Sequence, residues 1–288
     1  MKEPLAVPIG IYEKALPTEL SWEGRLDMAS SAGYNFVEMS IDESDERLSR
    51  LTWAASERAE LRTAINHTGV PILTMGVSGH RKFSLGSSSR ASRDRAVDML
   101  YRAIDLASDI GVKIIQVMGY DVFYETSNDE TQRRYLDGLK FGAKRAGTAG
   151  VMLGVENVDV EFSESIERVM KIVHAVGSPW LNIYPDMGNL AAAGYDPISQ
   201  LRLGEGHIVA LHVKDATPGN YRGVVFEKGD VPFRSVFQAI SDIGFFGPLV
   251  VEMWEQLQAD GDSFNQAVQA RKMVDQLISD AWNQKSVV

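Results

Sequence analysis

Eight times along this chain a short apolar run is followed by a longer stretch with helical spacing of its apolar residues, and that count constrains the fold more than any other feature. The runs are residues 6–12, 35–40, 71–77, 113–119, 151–156, 180–184, 207–213 and 249–253. Most are rich in Val, Ile and Leu without strict alternation, as parallel strands buried on both faces are. Between them the spacing predicts helices: one capped by Ser21 and stopped at Gly33, then 56–68, 89–110, 129–149, 163–176, 197–203, 233–243 and 263–282. A glycine follows six of the eight, at Gly33, Gly69, Gly111, Gly150, Gly177 and Gly244, where a left-handed residue ends a helix before the next strand. Eight such β-α units read as a single (β/α)8 TIM barrel, one domain over residues 1–288.

The alternatives lose on chemistry. A doubly wound dinucleotide fold needs G-x-G-x-x-G in its first β-α turn, and this chain has EKALPTEL there, with no phosphate-loop motif elsewhere. No linker or low-complexity tract divides the chain, and the acidic run 42–50 (DESDERLSR) reads as a solvated loop. A net charge of -10 opposes nucleic-acid binding, so no nucleic-acid partner is expected. With no cysteine, any metal has to be held by Asp, Glu, His and water. The first residues do not read as a signal peptide and no run is long enough to span a membrane, so a cytoplasmic protein without membrane contact is expected; homo-oligomer formation is left open.

Barrel enzymes carry their chemistry at the C-terminal ends of the strands. Glu156 closes strand five, Asp186 follows strand six, His212 lies in strand seven and Glu252 closes strand eight. Taken singly, each is a common strand-end residue. Their joint placement on four successive strands points to one divalent ion, with Mn2+, Mg2+, Co2+ and Zn2+ all suited to an oxygen-rich site with one imidazole.

The segments GIYEKALP, VEMSIDESDERLSRL, HRKFSLGS, GYDVFYE, IYPDMGNL, HIVALHVKD and FGPLVVEMW, in that order from about Val7 to Trp254, resemble the L-ribulose-5-phosphate (L-xylulose-5-phosphate) 3-epimerases of the xylose-isomerase-like barrels. The resemblance implies a sugar-phosphate substrate, a metal bound by Glu156, Asp186, His212 and Glu252, and proton transfer by Glu156 and Glu252. The chemistry is coherent: a cation that polarises C2 makes the C3 proton removable, and a carboxylate on each face of the enediolate allows removal from one side and return from the other.

For phosphate, the candidates are His80 and Arg81 beyond strand three, and Lys214, Arg222 and Lys228 in the loop after strand seven. That loop departs from the family's glycine-rich pattern, with Glu227 in FEKGDVPF where glycine usually sits. Epimerases of free ketoses are the nearest alternative, and an aldose-ketose isomerase would share the chemistry. Asn189, three residues after Asp186 where free-ketose epimerases usually carry histidine, favours the phosphate branch. Apurinic-site endonucleases of this barrel need further histidines that GNYRGVVFEKGD lacks. Tyr12, Glu13, Glu38 and Trp254 share the strand-end location without an assigned role, while His67, His174 and His207 read as structural.

Overall fold

Strands buried on both faces have to close on themselves or be covered, and these close. The computed structural model describes residues 7–254 and 262–283. In chain order its elements are β1 (Ile9–Tyr12), α1 (Trp22–Ser31), β2 (Phe36–Ser40), α2 (Asp45–Ser49), α3 (Ala55–Thr68), β3 (Ile72–Val77), α4 (Arg90–Ile110), β4 (Ile114–Met118) and α5 (Asp129–Ala149). There follow β5 (Met152–Glu156), α6 (Ile166–Val176), β6 (Leu181–Ile183), α7 (Met187–Ala192), α8 (Pro197–Leu203), β7 (Leu211–Val213), α9 (Phe233–Asp242), β8 (Leu249–Val251) and α10 (Ser263–Asn283). The strands pair in the order β6-β5-β4-β3-β2-β1-β8-β7, all in parallel. Isolated parallel bridges Ile183↔Ile208 and Asp186↔His212 then close β6 onto β7, with His212 N donating to Pro185 O at 2.8 Å. The closing seam therefore sets Asp186 beside His212.

Along each strand the side chains alternate between two environments. Ile9, Ile11, Val37, Met39, Val155, Leu211 and Val213 face out into the large core under the helices. Phe36, Ile114, Tyr184, Ala210 and Val250 form a smaller cluster inside the barrel. Room for the interior rings comes from missing side chains: a Cβ at Gly10 would lie 2.2 Å from the Phe36 ring, and one at Gly154 would lie 2.8 Å from Tyr184 Cβ. All six helix-ending glycines have positive φ, between 65° and 94°.

The expected strands are trimmed by one to four residues at their ends. Residue 6, the expected start of the first strand, lies outside the described residues. Residues 207–210 belong to no named strand and meet β6 through the Ile183↔Ile208 bridge and the His207 Nδ1 contact to Asn182 Oδ1 at 2.9 Å. Helix six begins at Ile166 with Ser165 as its cap, because the Ser163 hydroxyl is spent on Gly119 O at 2.7 Å. No helix among the described residues is long and apolar enough to cross a membrane.

The acidic run 42–50 is not a solvated loop but contains α2 and an anchored ion network. Glu13, 1% exposed, accepts from Ser40 N at 2.6 Å, Arg50 Nη1 at 2.7 Å and Arg25 Nη1 at 3.2 Å, with Arg47 Nε at 3.5 Å. Arg47 also pairs with Asp42, which holds Lys14 Nζ at 2.6 Å. Glu13 thus ties the β1 and β2 loops together rather than entering the chemistry. Replacing it by Ala strands Arg25 and Arg50 in the interior, and denaturant unfolding should show a loss of about 3–5 kcal/mol.

Candidate active site

Period-two alternation carries the inward row of each strand up to the barrel mouth, where it turns polar: Glu38 on β2, Gln116 on β4, Glu156 on β5, His212 on β7, and Lys214 and Glu252 just beyond β7 and β8. Asp186 joins them from the N-cap of α7, its Oδ1 accepting from Asn189 N at 2.9 Å. One ligand atom each from Glu156, Asp186, His212 and Glu252 lies within 4.8 Å of the others.

The contacts are specific. His212 Nδ1 lies 2.8 Å from Glu156 Oε1 and 3.0 Å from Glu252 Oε2, while its Nε2 lies 2.8 Å from Glu38 Oε1. Gln116 Nε2 donates to Glu156 Oε2 at 2.5 Å. Lys214 Nζ touches Asp186 Oδ2, donates to Asn189 Oδ1 at 2.6 Å and stands 3.8 Å from Glu252 Oε2. Asn157 fixes the Asp186 backbone by accepting from its N–H (2.8 Å) and donating to its carbonyl (3.1 Å).

Burial and crowding set the charges. Burial, with Glu252 and Glu156 adding to it, pushes the Asp186 carboxyl up to about 7 against the pull of Lys214. Burial would also raise Glu252, but Lys214 and His212 hold it well below the usual carboxylate range. His212 rises well above an ordinary histidine because Glu38 and Glu252 outweigh the effect of burial. Asp186 Oδ2 and Glu252 Oε2 are buried, the first against Lys214 Nζ and the second 3.0 Å from His212 Nδ1, and they belong to two of the four converging groups. Two such oxygens, a third carboxylate and an imidazole nitrogen fit a divalent cation.

Above this cluster opens a cavity of about 710 Å3 including its mouth, lined also by Lys14, Arg81, Tyr120, Asp159, Arg222 and Trp254. Arg81 lies over the Tyr120 and Phe123 rings, 5.5 and 5.6 Å from their centroids, and its buried Nε has no hydrogen-bond partner. Arg222 reaches Tyr120 Oη at 3.3 Å and Asp159 at 3.8 Å. Lys214 sits at the floor among the carboxylates, not at the rim, with Trp254 6.0 Å away. His80 is corrected: it is buried with Nε2 3.3 Å from Ala96 O, and burial lowers it to about 4, so it offers no cation near neutral pH. Lys228 is exposed and is not among the residues lining the cavity.

The loop after β7 returns to the barrel through Asp215, which accepts from Ala216 N at 2.9 Å, Gly229 N at 2.8 Å and Val231 N at 3.4 Å. Glu227 has φ 68°, alone among the described non-glycine residues in being positive. A glycine would take that conformation freely, and this chain carries the strain of a side chain there instead.

Gln116, Lys14 and Tyr184 line or adjoin the site and were passed over by strand-end reasoning, which placed Glu38 at a strand end without assigning it a role. Their signal was present: polar side chains at alternate positions of otherwise apolar runs, such as Glu38 in FVEMS and Gln116 in IIQVM.

The xylose isomerase-like TIM-barrel family profile matches residues 26–277, which defines the class of protein that this fold and mouth represent. The relatives narrow it. The L-ribulose-5-phosphate 3-epimerase UlaE of Escherichia coli O157:H7 (strain EC4115 / EHEC) is 44% identical over 254 residues, covering 88% of this chain and 89% of its own. The chain belongs to the L-ribulose-5-phosphate 3-epimerase family, enzymes of the isomerase class. Among solved structures, an L-ribulose 3-epimerase superposes with a TM-score of 0.80 at 18% identity, covering 97% of each chain. The D-psicose 3-epimerase of Clostridium cellulolyticum H10, solved with D-tagatose, gives 0.80 at 15% identity over 94% of this chain and 99% of that one. At those identities the likeness is one of fold.

Adding Mn2+ at about a hundred times its Kd to metal-free protein should stabilise the fold by roughly 2.7 kcal/mol, seen as a rise in Tm. Asp186→Asn, which keeps volume but removes one anionic ligand, should largely abolish that rise.

Proposed function

We propose that this chain is a metal-dependent 3-epimerase that interconverts L-ribulose 5-phosphate and L-xylulose 5-phosphate. The reading is carried by one observation: Glu156 and Glu252, from strands on either side of β6 and β7, meet at His212 Nδ1 on the floor of the cavity. Glu156, Asp186, His212 and Glu252 would hold the divalent ion, which when bound supplies positive charge at the C2 carbonyl and so acidifies C3–H. Glu156 and Glu252 then act on C3 from opposite faces. One takes the proton as carboxylate, and the other, as carboxylic acid, returns a proton to the opposite face, which inverts the carbon. Gln116, bonded to Glu156 Oε2, holds that carboxylate in one orientation. Lys214 offsets part of the negative charge gathered around Asp186 and Glu252.

The phosphate reading rests on the rim. Lys14 is paired with Asp42 and Arg222 with Asp159, whereas Arg81 forms no ion pair among the described residues. Arg81 is therefore the rim cation freest to take a 5-phosphate, in keeping with the substrate named for the 44%-identical relative. A phosphate held away from C3 supplies orientation that a free ketose lacks, so it acts on kcat as well as KM.

Metal analysis of purified protein, with turnover on a panel of pentulose 5-phosphates, tests the whole reading. Glu156→Gln and Glu252→Gln should each cut epimerisation by about 10^2- to 10^4-fold with the fold retained. Exchange of C3–H with solvent deuterium should survive in a variant that keeps one base and, by metal analysis, its metal, because removal and return then use the same face. Near wild-type epimerisation by either variant would end the two-base mechanism. Arg81→Gln should lower kcat/KM for L-ribulose 5-phosphate toward that for L-ribulose, while leaving metal content unchanged. Equal wild-type values for the two sugars would instead assign the chain to free ketoses.

A further inference from the structure

Glu38 is a carboxylate with no exposure at all, standing inside a barrel whose interior is ordinarily filled with branched apolar residues. A buried carboxylate is costly unless each oxygen is met, and both oxygens of Glu38 are. Oε1 faces His212 Nε2 at 2.8 Å, and Oε2 accepts from the Tyr184 hydroxyl at 2.6 Å. The three groups come from β2, β7 and the end of β6, so the contact crosses the barrel mouth. Gly76 keeps the space open: a Cβ there would lie 3.1 Å from Gln116 Oε1 and 3.8 Å from Glu38 Oε1. The Tyr184 ring, its centroid 4.7 Å from that of His212, confines the imidazole from the side.

Both ring nitrogens of His212 face carboxylates, and they differ in what those carboxylates are: Glu156 and Glu252, at Nδ1, belong to the candidate ligand set of the ion, whereas Glu38, at Nε2, does not. Glu38 can only accept, so Nε2 has to carry hydrogen. The other nitrogen, Nδ1, is the one turned toward Glu156 and Glu252, and in the Nε2–H tautomer its lone pair is available to a cation. Apolar residues of equal size would fill the same space, as Phe36, Ile114 and Val250 do in the layer beneath. Packing therefore does not account for a charged group here, and orientation of His212 does.

We infer that Glu38, itself held by Tyr184, is a positioning residue that locks His212 in the Nε2–H tautomer and so presents Nδ1 as the metal ligand. The inference rests on the metal reading of Glu156, Asp186, His212 and Glu252, and its test separates the two.

Mn2+ is titrated calorimetrically into metal-free wild type, Glu38→Gln and Tyr184→Phe, with the Tm of each metal-free protein as the measure of fold. An amide in place of Glu38 keeps the shape but has a single acceptor oxygen for two donors. Its Mn2+ Kd should rise by about 10- to 100-fold. Tyr184→Phe, which leaves Glu38 and His212 intact, should raise Kd by less. In Zn2+-loaded protein with 15N-labelled histidine, His212 should show the Nε2–H tautomer in wild type and a mixture of tautomers in Glu38→Gln. Wild-type Kd in both variants, with an unchanged tautomer, overturns the inference and spares the metal reading. A fall in apo Tm for Glu38→Gln, with Tyr184→Phe binding Mn2+ as wild type does, makes Glu38 a structural group and also overturns it. A wild type that takes up no stoichiometric metal overturns both.

Discussion

Four carboxylates forced into one buried space are the constraint from which the rest of this molecule follows. Glu38, Glu156, Asp186 and Glu252 crowd around a single imidazole and a single ammonium, with Asp186 and Glu38 fully buried. Several kcal/mol of desolvation attach to each such charge, and neighbouring positive groups and hydrogen-bond donors offset it. His212 and Lys214 supply part of it, and the raised Asp186 shows how incomplete the remedy is. An excess of carboxylates over the one imidazole and one ammonium that meet them is the electrostatic condition a divalent cation relieves.

Holding these groups together demands a scaffold that does not yield. The barrel provides it through two layers of packing: the apolar outer row of the strands grips the helices, and the inner row fills the lumen up to the level at which polar residues begin. Gly10 and Gly154 admit Phe36 and Tyr184 into that lumen, and Tyr184 in turn reaches Glu38. A glycine low in one strand is thereby connected to the orientation of a histidine at the top of another.

A second ion network, built on Glu13 with Arg25, Arg47 and Arg50, follows the same electrostatic logic with the opposite outcome. Here the cations outnumber the central carboxylate, so nothing is left unpaired and the network stiffens two loops. Its edge still touches the cavity, since Asp42, shared with Arg47, also fixes the rim residue Lys14. The contrast explains why two glutamates near strand ends, Glu13 and Glu252, belong to a brace and to the candidate metal site respectively.

Chain pattern alone determined the barrel, because apolar runs and helical spacing are local properties repeated eight times, and each glycine stop requires only a local positive φ. It also determined Glu156, Asp186, His212 and Glu252 as a set, since strand ends in a closed barrel converge whatever the intervening loops do. Glu38 and Gln116 were legible too, as polar residues on the inward phase of apolar strands, but their partners were not. Tertiary structure decided that His80 is a neutral core residue, that Lys214 stands at the floor, and that the acidic run 42–50 is a brace. Such outcomes depend on which groups meet in the folded chain, as Glu38 and His212 do across the barrel at a sequence separation of 174 residues. Charge and burial are properties of such meetings, and no local pattern encodes them.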